Sequence, residues 1–104
     1  MPLDEVAILQ PQGNLCVGYL EPLLAEFKEC CDRSAKIILV DLQEVHFIDS
    51  AGLGALVRMH TTLKSAGRRL YLCSPTQQVQ LALEISNLDQ IIPTLANREE
   101  LLKL

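Results

Sequence analysis

Phe47-Ile48-Asp49-Ser50-Ala51-Gly52-Leu53-Gly54 joins the end of an apolar run to the start of a helix. Beyond it, Leu53, Leu56, Val57, His60 and Leu63 fall on one face at helical spacing, and Gly67 stands where a C-terminal cap belongs. Upstream, Lys36–Leu42 (KIILVDL) is a continuous apolar run with charges only at its ends, the pattern of a strand covered on both faces in a parallel sheet. Downstream, Arg69–Cys73 (RLYLC) reads as another buried strand. Strand, turn, helix and strand in that order predict an α/β layer fold with at least the central strands parallel.

The flanking segments extend the pattern. Val6–Leu9 is a short apolar strand ended by Pro11 and Gly13. Leu20, Leu23, Leu24, Phe27 and Cys30 or Cys31 have helical spacing, with Pro22 in the first turn and an end near Arg33. Ser74-Pro75-Thr76-Gln77 reads as a capping box with Ser74 as N-cap, opening a helix whose inner face is Val79, Ala82 and Leu83 and whose end is Asn87. Ile91-Ile92 is a short strand, and Asn97-Arg98-Glu99-Glu100 caps a last short helix carrying Leu101 and Leu102.

The 104 residues form one domain, long enough to bury a core without metal or disulfide support. Half the chain is hydrophobic (49%) but only 4% is aromatic, so Leu, Ile, Val and Ala build that core. A net charge of −4 and the lack of a basic face argue against a nucleic-acid surface. Asp4 and Glu5 stand where a signal peptide would be positive, and no apolar run is long enough to span a bilayer; a cytoplasmic protein without direct membrane insertion is expected. Cys16, Cys30, Cys31 and Cys73 match neither a zinc pattern nor C-x-x-C, and read as small buried hydrophobes. His46 and His60 lack an acidic or thiol neighbour at ligand spacing, so neither metal nor cofactor is expected.

Several chemistries could use the serine of the opening stretch. A nucleophile elbow requires G-x-S-x-G with a later histidine, whereas here the segment is D-S-A-G and the later His60 lies on the same helix. A phosphate loop requires G-x-x-x-x-G-K-[ST], and Gly52-x-Gly54 has no such lysine. Two readings stay open on local pattern. Ser50 caps the helix, or it is a modifiable hydroxyl at a helix N-terminus, where a negative charge is stabilised. Glycine in a first turn costs up to about 1 kcal/mol relative to alanine, so Gly52 and Gly54 suggest that another surface approaches the backbone there.

Val40-Asp41-Leu42, then Phe47-Ile48-Asp49-Ser50-Ala51-Gly52-Leu53-Gly54, resembles the signature of the STAS family, whose soluble members include anti-sigma factor antagonists. Gly67-Arg68-Arg69-Leu70 and the region around Leu88 continue the likeness, which spans about Val6 to Leu95. The resemblance implies a mixed, mostly parallel sheet of about four strands flanked by about four helices. It also implies a non-enzymatic, partner-switching regulator in bacterial transcription. In that scheme Ser50 is the phosphorylation site, an anti-sigma factor that is also a serine kinase is the partner, and a phosphatase resets the switch. Asp49, Ser50, Ala51, Gly52, Leu53 and Gly54 then form the partner-contact turn.

Two departures from the family pattern stand out. The family's Gly-x-Leu-Asp reads Gly13-Asn14-Leu15-Cys16 here, so Cys16 stands where an acid would lie near the serine, and it joins the expected partner surface. The family's strand before Val6–Leu9 is short or missing, since five residues precede it. A missing strand leaves a sheet edge open, which supports a homodimer or a partner strand. The rival readings are a STAS module that docks on a transporter or signalling scaffold without phosphorylation and, more remotely, a small thiol-redox protein using Cys16.

Overall fold

A computed structural model describes residues 6–33 and 35–103. Four strands form one sheet in the order β1 (Val6–Leu9), β3 (Ile37–Asp41), β5 (Arg69–Cys73) and β6 (Thr94–Leu95), and every pairing is parallel. Among the described residues three α-helices accompany it: α1 (Glu21–Asp32), α2 (Ser50–Ser65) and α3 (Gln77–Ile85). Two 3-10 segments, Leu88–Gln90 and Arg98–Lys103, are also found among the described residues. Among the described residues no helix is long and apolar enough to cross a membrane.

The unbroken apolar run of β3 is explained by its central place, for all five of its residues are buried. On one face Ile38, Val40, Leu70 and Leu72 join Leu23 and Phe27 of α1, Leu56, Met59 and Leu63 of α2, and Val79 and Leu83 of α3. On the other, Ile37, Leu39, Tyr71 and Cys73 pack with Leu101 of the C-terminal 3-10 helix. That helix is tied down by an ion pair between Arg98 Nε and the buried Asp41 Oδ2 at 2.6 Å. Asn97 caps it, its Oδ1 accepting the Glu100 N–H. Of the two leucines assigned to it, Leu101 is buried while Leu102 is exposed.

A second, two-stranded ladder pairs β2 (Gly13–Leu15) with β4 (Val45–Ile48), again parallel. Neither strand is announced by the sequence pattern, because Gly13-Asn14-Leu15 is short and polar and half of β4 faces solvent.

Two assignments differ from the sequence expectation. Thr76, not Ser74, caps α3: Ser74 has φ 54° and its N–H extends the pairing to Leu95, while the Thr76 hydroxyl accepts the Val79 N–H and donates to the Val45 carbonyl. Ile91-Ile92 is not a strand, because both N–H groups bond back to the Leu88 carbonyl; Ile92 fills the core and β6 begins after Pro93. The expected last short helix is present at Arg98–Lys103, as a 3-10 helix. Likewise, α1 ends as expected at Arg33, and Asn87 leaves α3 in the left-handed conformation. The expected shortened or missing N-terminal strand lies on Met1–Glu5, outside the described residues. Among those residues, no strand pairs with the outer edge of β1.

Candidate functional site

The β2–β4 ladder builds the site. Leu15 stands opposite Ile48, and the pairing runs one residue further, the Asp49 N–H donating to the Leu15 carbonyl at 3.2 Å. The chain then turns through Cys16–Tyr19, with Gly18 at φ 88° and the Tyr19 N–H on the Cys16 carbonyl. This loop therefore lies beside the start of α2.

Asp49 is the N-cap of α2, in extended backbone. Its Oδ1 accepts the Gly52 N–H at 2.9 Å and its Oδ2 accepts the Val17 N–H at 3.2 Å, so one carboxylate bridges the helix and the loop. The Gly52 N–H above all, with help from that of Val17, holds the Asp49 carboxyl below its ordinary value, although partial burial acts the other way. Ser50 is therefore not the cap. It is the first residue of α2 and is exposed. A hydroxyl could not replace the carboxylate, whose two oxygens serve donors on two different segments.

The two glycines have different reasons. A Cβ on the buried Gly52 would lie 2.1 Å from the Leu15 carbonyl oxygen and 2.7 Å from Ile48 Cγ1, so the surface approaching this backbone is the protein's own β2. A Cβ on Gly54 would meet nothing within 4 Å among the described residues, so no close approach of another segment there accounts for that glycine. Ala51, Leu53, Gly54, Asp49 and Cys16 are half-buried around the exposed Ser50.

Two exposed apolar residues lie on the segments that lead into and brace this turn. Val17, whose N–H is bound by Asp49, is 74% exposed, and Phe47, at the end of β4, is 45% exposed. Phe47 stands in an apolar run of the sequence yet faces solvent. Its exposure comes from β4 lying in a two-stranded ladder rather than inside the main sheet. All four cysteines are free thiols: Cys30 and Cys73 are buried, Cys16 and Cys31 half-buried. Burial pushes the thiols of Cys30, Cys31 and Cys73 up. Among the described residues no group of three or more His, Cys, Asp or Glu is placed to hold a metal ion.

The site therefore offers an exposed hydroxyl on the first turn of a helix, a carboxylate beside it and an apolar rim. The STAS domain family model matches residues 3–101. A Thermotoga neapolitana protein provisionally named an anti-sigma factor antagonist is 32% identical over 91 residues, covering 86% of this chain and 80% of the relative. The crystal structure of a Thermotoga maritima protein with the same provisional name matches with a TM-score of 0.88 at 26% identity, over 99% of this chain and 89% of that one. The anti-sigma factor antagonist SpoIIAA in its unphosphorylated form matches with a TM-score of 0.78 at 21% identity, over 98% and 89%. The STAS domain of a SulP transporter from Vibrio cholerae matches with a TM-score of 0.79 at 15% identity, over 96% and 79%. At those last two identities the likeness is one of fold alone.

Proposed function

The chain belongs to the STAS domain family, and from that premise we propose that it is a partner-switching regulator of the anti-sigma factor antagonist type, controlled by phosphorylation of Ser50. One observation carries this reading. Asp49 performs the capping, which leaves Ser50 exposed at the helix start with no capping duty. The partner is an anti-sigma factor with serine kinase activity that seats on Ser50 and on the apolar rim of Val17 and Phe47, and a phosphatase reverses the modification.

Phosphorylation adds a charge of about −1.5 to −2 at pH 7. At the first residue of α2 the helix N-terminus tolerates that charge, so the fold survives. A partner that sits on a neutral hydroxyl does not, because the phosphate joins the Asp49 carboxylate and both must be desolvated on docking. A loss of about 3 kcal/mol weakens affinity more than a hundredfold, with no conformational change required.

The test pairs chemistry with binding. Incubation with ATP and the serine kinases of the source cell, followed by mass mapping, is expected to place phosphate on Ser50. Ser50→Ala is expected to keep partner binding and Ser50→Asp to lose it. If Ser50→Asp binds as well as the parent and no phosphate is found, the protein is instead a STAS docking module on a transporter or signalling scaffold.

A further inference from the structure

The far end of α2 carries a feature unconnected with Ser50. The helix closes in a Schellman turn: Gly67, at φ 73°, donates its N–H to the Lys64 carbonyl, and the Arg68 N–H bonds to Leu63 at 2.8 Å. The turn runs straight into β5, which gathers Lys64, Arg68 and Arg69 at one end of the sheet. With His60, Tyr71, Ile91 and Pro93 they line an open cleft of about 360 Å³.

Among the described residues no carboxylate lines this cleft, and their one ion pair, Arg98–Asp41, lies elsewhere. Three of the nine Lys and Arg residues of a chain with net charge −4 thus share one concavity. Arg68 has a structural duty, since its Nη1 donates to the Cys31 carbonyl at 2.9 Å. Lys64 and Arg69 have no such duty and are exposed. The helix C-terminus contributes only about half a negative charge, which these cations outweigh. The same cleft has apolar lining: Ile91 is 52% exposed although its neighbour Ile92 is fully buried.

Cations and apolar side chains in one cleft, in a volume within the roughly 300–1,000 Å³ range of ligand pockets, suit a molecule with an anionic head and an apolar body. A guanidinium fork and an ammonium lining one cleft match phosphate oxygens better than a single point charge does. We propose that this cleft binds a small phosphomonoester, with its phosphate held by Lys64 and Arg69 and its apolar body against Tyr71, Ile91 and Pro93. The 16 residues of α2 span about 24 Å, so the ligand and a partner seated on Ser50 do not compete.

Amide chemical shifts of the isotope-labelled protein, titrated with phenyl phosphate, inorganic phosphate and phenol, test this. Phenyl phosphate is expected to shift the amides of Lys64–Tyr71 and of Ile91–Thr94 saturably, more tightly than inorganic phosphate, while phenol leaves them unmoved. The double variant Lys64→Gln, Arg69→Gln changes only exposed side chains. It is expected to keep the parent spectrum elsewhere and to bind phenyl phosphate at least about tenfold more weakly. Absence of a saturable shift overturns the proposal. So does equal binding by phenol, or undiminished binding by the double variant.

Discussion

A methyl group added at Gly52 would lie 2.1 Å from the Leu15 carbonyl oxygen, whereas one added at Gly54 meets nothing within 4 Å among the described residues. The neighbour at Gly52 is backbone held in the β2–β4 ladder, so it cannot move aside cheaply. Gly52→Ala is expected to cost about 1–3 kcal/mol by overpacking. Gly54→Ala is expected to raise stability by about 0.5–1 kcal/mol, because alanine is the better helix former. Urea unfolding of the two variants checks both, and equal effects would refute this account of the turn. Asp49 makes a prediction about pH. Its folded-state carboxyl lies below the ordinary value of 3.8, so its contribution is present above that pH and is lost as pH falls through the folded value. Asp49→Asn keeps an N-cap acceptor without the charge, and its stability is expected to fall less than the parent's between about pH 6 and about pH 3. At this scale the sequence made the turn legible but not its division of labour. Asp and Ser are both good caps, and only the backbone placing Val17 within reach of a second carboxylate oxygen decides between them.

Among the elements, the C-terminal 3-10 helix depends most on tertiary contacts. It is six residues long and has one buried apolar side chain, Leu101, together with the Arg98–Asp41 pair. Asp41 is 1% exposed, and its other oxygen accepts the Gln43 N–H at 2.9 Å, so the carboxylate is well satisfied while Arg98 is present. Removing Arg98 leaves that buried charge with one donor. Because the Arg98 side chain is itself 44% exposed, solvent screens part of the loss, and Arg98→Ala is expected to cost about 1–2 kcal/mol. Leu101→Ala is expected to cost about 2–3 kcal/mol through the cavity it leaves above Leu39 and Tyr71. Hydrogen exchange at 98–103 should then approach that of unprotected amides in either variant before the rest of the sheet opens. Neither contact is readable locally, since Asp41 and Arg98 are 57 positions apart. The same holds for Ile91-Ile92, whose apolar character fits a strand until the Leu88 carbonyl takes both N–H groups.

For the whole molecule, the order of the large elements follows from periodicity because each is long enough to show its period: β3 and β5 as apolar runs, α1, α2 and α3 as stripes. The β2–β4 ladder lacks that length, and it is the part that positions the site. The remaining question at this scale is the outer edge of β1. Among the described residues nothing pairs with it, and two exposed apolar side chains lie on the same side of the molecule, Ile8 at 47% and Leu102 at 60%. Both border an apolar cleft of about 280 Å³ shared with Val6 and Leu39. An open edge offers a row of unused donors and acceptors, and a flanking apolar surface rewards the chain that pairs with it. A second copy satisfies both by placing its own β1 antiparallel to the first about a two-fold axis, which brings the two Ile8 side chains together. With four residues per strand this interface is small, so the dimer should be weak and form only as concentration rises. Light scattering over a concentration series is expected to show mass growing from monomer toward dimer. Ile8→Lys, which adds a charge to the edge without touching the core, should hold the protein monomeric throughout. A parent protein that stays strictly monomeric at the highest concentration removes the pairing, and with it the idea that the open edge serves a second copy.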